Sequence, residues 1–201
     1  MSYDQTFLLL AIACTMNAIG DVFLLRGVCK TNWEPGIEAL RQTSDRNLIW
    51  GALSGLATIT PWSLLLPLLA NIPGVSGRVA LLSYATYVAV TLAFHVSYGF
   101  IGLAVKADHT LSDQFQPLVT VIAGTSFGLG VLFSIAWSAA ILQAEASWRY
   151  VFVTPAITIA VCQFLLGYLF RRVPYYLVVS GPLAMLVFFW AFLQYAETVQ
   201  L

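Results

Sequence analysis

Apolar residues run along this chain in long unbroken blocks rather than in alternation. FLLLAIACTM and VFLL flank the short polar insert NAIGD, and blocks of similar length recur to the C-terminus. Six segments, at about 6–26, 47–70, 79–105, 117–143, 149–171 and 175–197, are long and apolar enough for helices crossing a hydrocarbon core, which takes about 20 residues each. Continuous rather than alternating apolarity favours helices over a barrel, whose strands need only about ten residues. The pattern predicts an all-α fold: a single polytopic transmembrane domain over 1–201, a bundle of six transmembrane helices.

The connections are mostly short. NIPGVSGR (71–78) carries Pro73, Gly74 and Gly77, and KADHTLSDQFQP (106–117) is the most polar stretch. QAEASWR (143–149) and RRVP (171–174) are tight. Short connections set neighbouring helices antiparallel. The longer first connection, 27–47, holds GIEALRQ, which reads either as a short interfacial helix with Trp33 at headgroup depth or as a plain solvated linker. Pro61, Pro67, Pro155 and Pro182 interrupt spans and are expected to act as ordinary membrane-helix kinks.

Composition turns these helices into membrane helices. The 201 residues are 60% hydrophobic and 9% charged, with a mean hydropathy of +0.84. So few charges cannot cover a water-facing surface, since soluble domains average about 25% charged residues. Nine basic and nine acidic side chains cancel, and no basic stripe exists, which leaves nucleic-acid binding without support. The N-terminus has Asp4 and no basic region or small-residue cleavage site, so the first apolar run is expected to be a permanent span.

Lys and Arg set the orientation. Arg26, Lys30, Arg41, Arg46, Lys106, Arg171 and Arg172 flank the first, third and fifth connections, against Arg78 and Arg149 on the other side. This asymmetry places those three connections in the cytoplasm and both termini outside. The localisation that follows is the cell membrane, a bacterial inner membrane, multi-pass. Trp50, Trp148, Tyr150, Tyr175 and Tyr176 sit near span ends, as an aromatic belt does.

Candidate chemistry is sparse. Cys14, Cys29 and Cys162 have no ligand spacing and read as small apolar fillers. His95 and His109 alone cannot build a multi-histidine metal centre, and no cofactor motif is present. GTSFGLG (124–130) imitates a phosphate loop by its letters, but it lies mid-span without a basic partner and reads as a close-packing small-residue face. Gly51 and Gly55, spaced G-x-x-x-G, can serve helix contacts within one chain or in a homo-oligomer.

Asp21 is the only acid well inside a span, and a carboxylate there costs several kcal/mol unless it is partnered. At about 1.5 Å per residue it lies roughly 7 Å from the cytoplasmic end of its helix. Asn17 projects from the same face one turn earlier, and Gly20 admits a neighbouring backbone. His95, the only in-span histidine, sits at roughly 15 Å by the same rise, level with Asn17. Tyr98 and Gly99 share its face. Ser54, Thr58, Thr125, Ser126, Gln163 and Ser180 are the further in-span polar candidates on the other helices, all on the cytoplasmic side. The expectation is one cytoplasm-opening polar pocket lined by Asn17, Asp21, His95, Tyr98 and Gln163, with Asp21 and His95 as its titratable pair, in contact or bridged by water. Each residue also has a plain packing role: Asp21 bonding Asn17, His95 satisfied structurally, Gln163 as interhelical glue.

NAIGDVFLL, the span-two end SLLLPLL, AFHVSYGFIG and the prolines of VTPAITI and SGPLAML together resemble a bacterial family of uncharacterised six-span integral membrane proteins. That pattern has a Gly-Asp-Leu-Leu-like end to helix one, a mid-span histidine in helix three and prolines in the last two helices. The resemblance implies that Asp21 and His95 belong to a family pattern and implies no activity. A looser similarity is to lysoplasmalogenase-like membrane proteins, whose further intramembrane acids this chain lacks.

Four readings stay open. One is binding or sensing of a lipidic or small molecule, with the lipid bilayer as the standing partner. A second is a lipid-modifying hydrolase with His95 as base and Asp21 as orienter. A third is a small proton-linked transporter, without a visible internal repeat. The fourth is a structural or assembly protein whose polar residues specify packing.

Overall fold

The computed structural model describes residues 2–24, 37–144, 150–169 and 176–200. Helices and turns make up these residues, and no strand occurs among them. The elements are α1 (Tyr3–Leu24), a 3-10 turn (Ile37–Gln42), α2 (Asp45–Ile59), a 3-10 segment (Thr60–Leu65), α3 (Leu66–Ala70), α4 (Gly74–Ala107), α5 (Leu111–Gln143), α6 (Pro155–Leu169) and α7 (Tyr176–Val199). Among the described residues, five stretches are long and apolar enough to cross a membrane: α1, Asp45–Ala70 as a whole, α4, α5 and Ser180–Val199 within α7.

α1 shows how the sequence sets the bundle. Leu10, Ala13, Cys14, Asn17, Gly20, Asp21 and Leu24 are buried, a stripe at three- and four-residue steps. Leu8, Ile12, Met16, Ile19 and Phe23 form the opposite, exposed stripe. Beyond the first turn the outer face is apolar except for Thr15, whose hydroxyl donates to the Ala11 carbonyl of its own helix, and the inner face carries the amide and the acid. This is the reverse of a water-soluble helix and the arrangement hydrocarbon demands.

Each long helix packs on two neighbours, in the order α1, α2, α4, α5, α6, α7 and back to α1. The contact between α5 and α6 is the least extensive of the six. α4 and α5 form an antiparallel hairpin whose register is marked by Ser76 with Gln143 (2.6 Å) near one end and Thr91 with Ser126 (2.7 Å) midway.

Two apolar clusters fill the interior. The larger holds Leu10, Cys14, Ile59, Trp62, Tyr84, Phe133, Trp137, Phe188 and Phe192, with Phe133 and Phe188 edge to face at 5.5 Å. The smaller holds Leu24, Ile37, Leu40, Leu48, Ile101 and Val105. Between the two clusters lie Asn17 and Asp21 on α1, Thr58 on α2 and His95 on α4.

Several boundaries differ from expectation. α4 begins at Gly74, and α5 at Leu111 with Pro117 inside it, so only residues 108–110 join them. There the Thr110 hydroxyl and N–H donate to Asp108, and these bonds hold its carboxyl below the usual range. Pro61 and Pro67 do more than kink the second span. Each opens a new helical segment, the first of them a 3-10 segment in which Leu66 N–H bonds the Ser63 carbonyl. The Trp62 carbonyl, freed from its usual partner, accepts from the buried Tyr84 hydroxyl at 3.0 Å.

The expected span at 149–171 is, among the described residues, a helix of 15 residues. Proline lacks an N–H and suits the first helical position, so the helix starts at Pro155. Thr154 Oγ1 accepts from Ile157 N–H at 3.3 Å as the cap. Ser134 on α5 takes the Ala156 N–H at 3.2 Å. Tyr150, expected in the aromatic belt, is instead buried against Tyr195, and its carbonyl accepts from Trp137. Trp33, Cys29, Trp148 and Tyr175 lie outside the described residues, as do Arg26, Lys30, Arg149, Arg171 and Arg172.

The described part of GIEALRQ, Ile37–Gln42, is a short 3-10 helix rather than a plain linker. Its 3-10 turn buries Ile37 and Leu40 in the smaller cluster, and Ile37 N–H donates to Gln116 on α5 at 3.0 Å. Lys106 ties the same region to α4 through the Thr43 carbonyl (2.8 Å) and the Asp45 carboxylate. The Asp45 side chain is exposed, so Lys106→Met should change unfolding free energy by less than about 1 kcal/mol. Amide exchange around Thr43 should nevertheless speed up. A global loss well above that figure would show that the tie holds the bundle rather than its edge.

Candidate functional site

Four glycines bring α1, α2 and α4 close. A Cβ on Gly20 would lie 1.7 Å from Ser54 Oγ, one on Gly51 2.7 Å from Leu24 Cβ, one on Gly55 2.8 Å from His95 Cβ and one on Gly99 2.6 Å from Ala52 Cβ. The Gly51/Gly55 pair is thus used inside the chain, one residue facing α1 and the other α4. GTSFGLG behaves differently. Gly124 and Gly128 have no atom within 4 Å of such a Cβ, and only Gly130 approaches a neighbour, the Tyr87 ring. The close-packing face expected there is not a contact within the described residues.

With α2 thin on both sides, a side chain on α1 reaches one on α4. Asp21 Oδ1 and His95 Nε2 are in hydrogen-bond contact. Asn17 Nδ2 donates to Asp21 Oδ2 at 3.3 Å. The Thr58 hydroxyl, with a single proton to donate, lies 3.0 Å from Asn17 Oδ1 and 2.7 Å from the Ser54 carbonyl. The result is a polar chain Thr58–Asn17–Asp21–His95 across three helices. Asn17 and Asp21 are 2% and 8% exposed. A buried carboxylate is tolerated only when paired and hydrogen-bonded, and here both of its oxygens are engaged.

The imidazole is held from two directions. Its Cδ2 edge faces α2, 2.9 Å from where a Cβ on Gly55 would stand, and Nε2 faces Asp21. Nδ1 lies on the opposite edge from Cδ2. It is buried and has no hydrogen-bond partner of good geometry among the described residues. The Thr91 backbone, one turn earlier on α4, also interacts with the imidazole.

Away from α2, His95 lines a cleft of about 270 Å³ between α4, α5 and the start of α6. Tyr87, Phe94, Phe127, Val131, Pro155 and Ile159 give it apolar walls, and Thr91 and Ser126, bonded to each other, are its other polar members. His95 is the sole histidine on this wall, and no carboxylate lines it. The cleft lies beside the weakly packed α5–α6 seam, and the outward-facing Phe127 is largely exposed.

Of the residues expected to share a pocket, Asn17, Asp21 and His95 come together. Tyr98 stands one turn from His95, its ring stacked on Phe94 at 5.3 Å rather than turned to the acid. Gln163 does not join them. It is exposed on α6, because that helix turns its buried Thr158 inward and Gln163 lies on another face. Thr125 is also exposed and bonds its own helix through the Val121 carbonyl. Ser180 is buried on α7. Sequence reading missed Thr91 and the cleft itself. Thr91 was within reach, since it sits four residues before His95 on the same helical face. Cys14 is buried in the larger cluster and Cys162 is half-buried, both as free thiols. No group of three His, Cys, Asp or Glu side chains converges among the described residues.

No protein-family model matches the sequence, and neither a curated protein nor a solved structure shows significant similarity to it.

Proposed function

We propose that this chain is a multi-pass membrane protein that binds a lipidic molecule in the lateral cleft, with the Asp21–His95 pair addressing the ligand's polar group. One observation carries the reading: an apolar-walled cleft beside a loosely packed seam has, as the single histidine on its wall, an imidazole anchored from behind by a buried acid. Ligand sites are typically apolar with a few placed polar groups, and intramembrane ionisable residues are functional candidates by default. The Lys and Arg asymmetry supports cytoplasmic first, third and fifth connections, external termini and a bacterial inner membrane. The motif resemblance described above supports membership of the six-span bacterial family.

An acid-oriented imidazole is also the arrangement of a general base, which favours lipid hydrolysis as the second reading. Ser126 shares the cleft, but its hydroxyl is bonded to Thr91 rather than to His95, so no nucleophile–base pair stands ready.

The test is mass spectrometry of lipid retained by the protein purified in mild detergent. Ala123 lines the cleft, and Ala123→Trp should fill it and abolish enrichment of any specific lipid. The surface change Arg46→Gln should leave enrichment intact. Bulk lipid alone in every sample would overturn the proposal. A shortened lipid accumulating in the wild type, but not with His95→Phe, would favour hydrolysis.

A further inference from the structure

The polar chain Thr58–Asn17–Asp21–His95 lies between two apolar seals of unequal build. The larger cluster sets Phe133 and Trp137 of α5 ring against ring with Phe188 of α7. These rings sit on long helices, so opening that seal means parting the helices themselves. The smaller cluster begins one turn beyond the pair: Leu24 stands three residues after Asp21, roughly 4.5 Å along the axis. Part of this second seal is not a membrane helix. Ile37 and Leu40, 1% and 0% exposed, come from the 3-10 turn and pack with Leu48, Ile101 and Val105. A Cβ on Gly102 would lie 3.4 Å from Leu40 Cβ, so the turn rests directly on α4.

Polar bonds at the rim hold the turn down. Ile37 N–H donates to Gln116 at 3.0 Å, the Thr43 carbonyl accepts from Lys106 at 2.8 Å, and the Thr43 hydroxyl donates to the Leu24 carbonyl at 3.4 Å. Gln116 is exposed and Lys106 partly so, and water can replace either bond. A short element held by surface bonds and two apolar side chains opens before packed helices do. Exposure of Ile37 and Leu40 keeps the open state rare. Hydration of the buried acid, which follows opening, works the other way and keeps that state within reach.

We infer that the Ile37–Gln42 turn is a gate, through which the Asp21–His95 pair meets water at that end of the bundle, the cytoplasmic end in the orientation proposed above. The aromatic end stays shut. Any proton the pair gains or releases passes on the gated side. The gate acts on the pair itself and stands whether or not the lateral cleft holds a lipid.

Deuterium exchange at the imidazole Cε1, read by mass spectrometry on the detergent-solubilised chain, reports water access. The two histidines supply a site and a reference, since His109 is exposed in the turn between α4 and α5. His95 should exchange far more slowly than His109. Lys106→Met with Gln116→Ala removes two rim bonds and should speed exchange at His95 by about two- to tenfold for each bond lost. His109 and the amides of Phe188 and Phe192 on α7 should keep their rates. Leu40→Cys with Gly102→Cys, made with Cys29 and Cys162 changed to serine, places two thiols within disulfide reach. The oxidised form should exchange at His95 more slowly than the reduced form of the same variant, which serves as its own control for folding. Equal rates in the two forms would overturn the gate, with water arriving by the cleft or along α1 instead. Faster exchange at His95 matched by the α7 amides would overturn it too, because the whole bundle would then be opening. So would a wild-type His95 as fast as His109, or one indifferent to loss of the rim bonds.

Discussion

Asp21→Ala, made while His95 remains, should cost about 3–5 kcal/mol of unfolding free energy, the usual penalty for leaving one member of a buried pair without the other. His95→Phe should cost a similar amount, because the carboxylate then keeps only the Asn17 bond. The double change Asp21→Leu with His95→Phe should be milder than the sum of the singles, since no charge is stranded and the site becomes apolar. Asp21→Asn should fall between wild type and Asp21→Ala, because an amide of the same shape still meets Nε2 and Asn17. Denaturant unfolding of the four variants in one detergent measures this. Additive losses would mean that the two residues are not an energetic unit, and the function argued for them would lose its base.

The second large effect is steric. Gly99→Leu would set a Cβ 2.6 Å from Ala52 Cβ and 2.8 Å from the Leu48 carbonyl oxygen. The carbonyl is backbone and cannot swing aside, so α2 and α4 must separate. Overpacking of this kind costs typically about 1–3 kcal/mol. It also costs the site, because α1 reaches α4 only across a thin α2. Loss of the Asp21–His95 contact should show as lost lipid retention even where the variant folds. Gly124→Leu is the control: open space surrounds that position, and its stability should stay within about 0.5 kcal/mol of wild type. Equal penalties at the two glycines would mean that Gly124 faces a partner helix, as in a second copy of the chain.

These contrasts show how far the sequence could be read. Long apolar blocks made a helical membrane bundle legible, because hydrocarbon leaves the backbone few alternatives. The inward turn of Asp21 was legible for the same reason: lipid tolerates no lone acid. That His95 is its partner was an expectation from depth alone, since helix order around a bundle leaves no mark in a single sequence. The glycines that bring the two together were visible as small residues, but which of them touch was not. Gly51 and Gly55 pack, whereas Gly124 and Gly128 do not. The start of α6 was readable in V-T-P, a threonine cap before a first-position proline, although the apolar run around it suggested a longer span. Gln163 was misplaced because every in-span polar residue was turned inward. A long amide does not carry the penalty of a charge, so its facing is far less constrained.

The thin seam between α5 and α6 has a consequence for how any guest arrives. A pocket entered through its side wall receives molecules already dissolved in the leaflet. Occupancy then follows the guest's mole fraction among neighbouring lipids, not its concentration in water. Reconstituting the protein at a fixed protein-to-guest ratio into ever more bulk phospholipid should strip the site, whereas enlarging the aqueous volume should not.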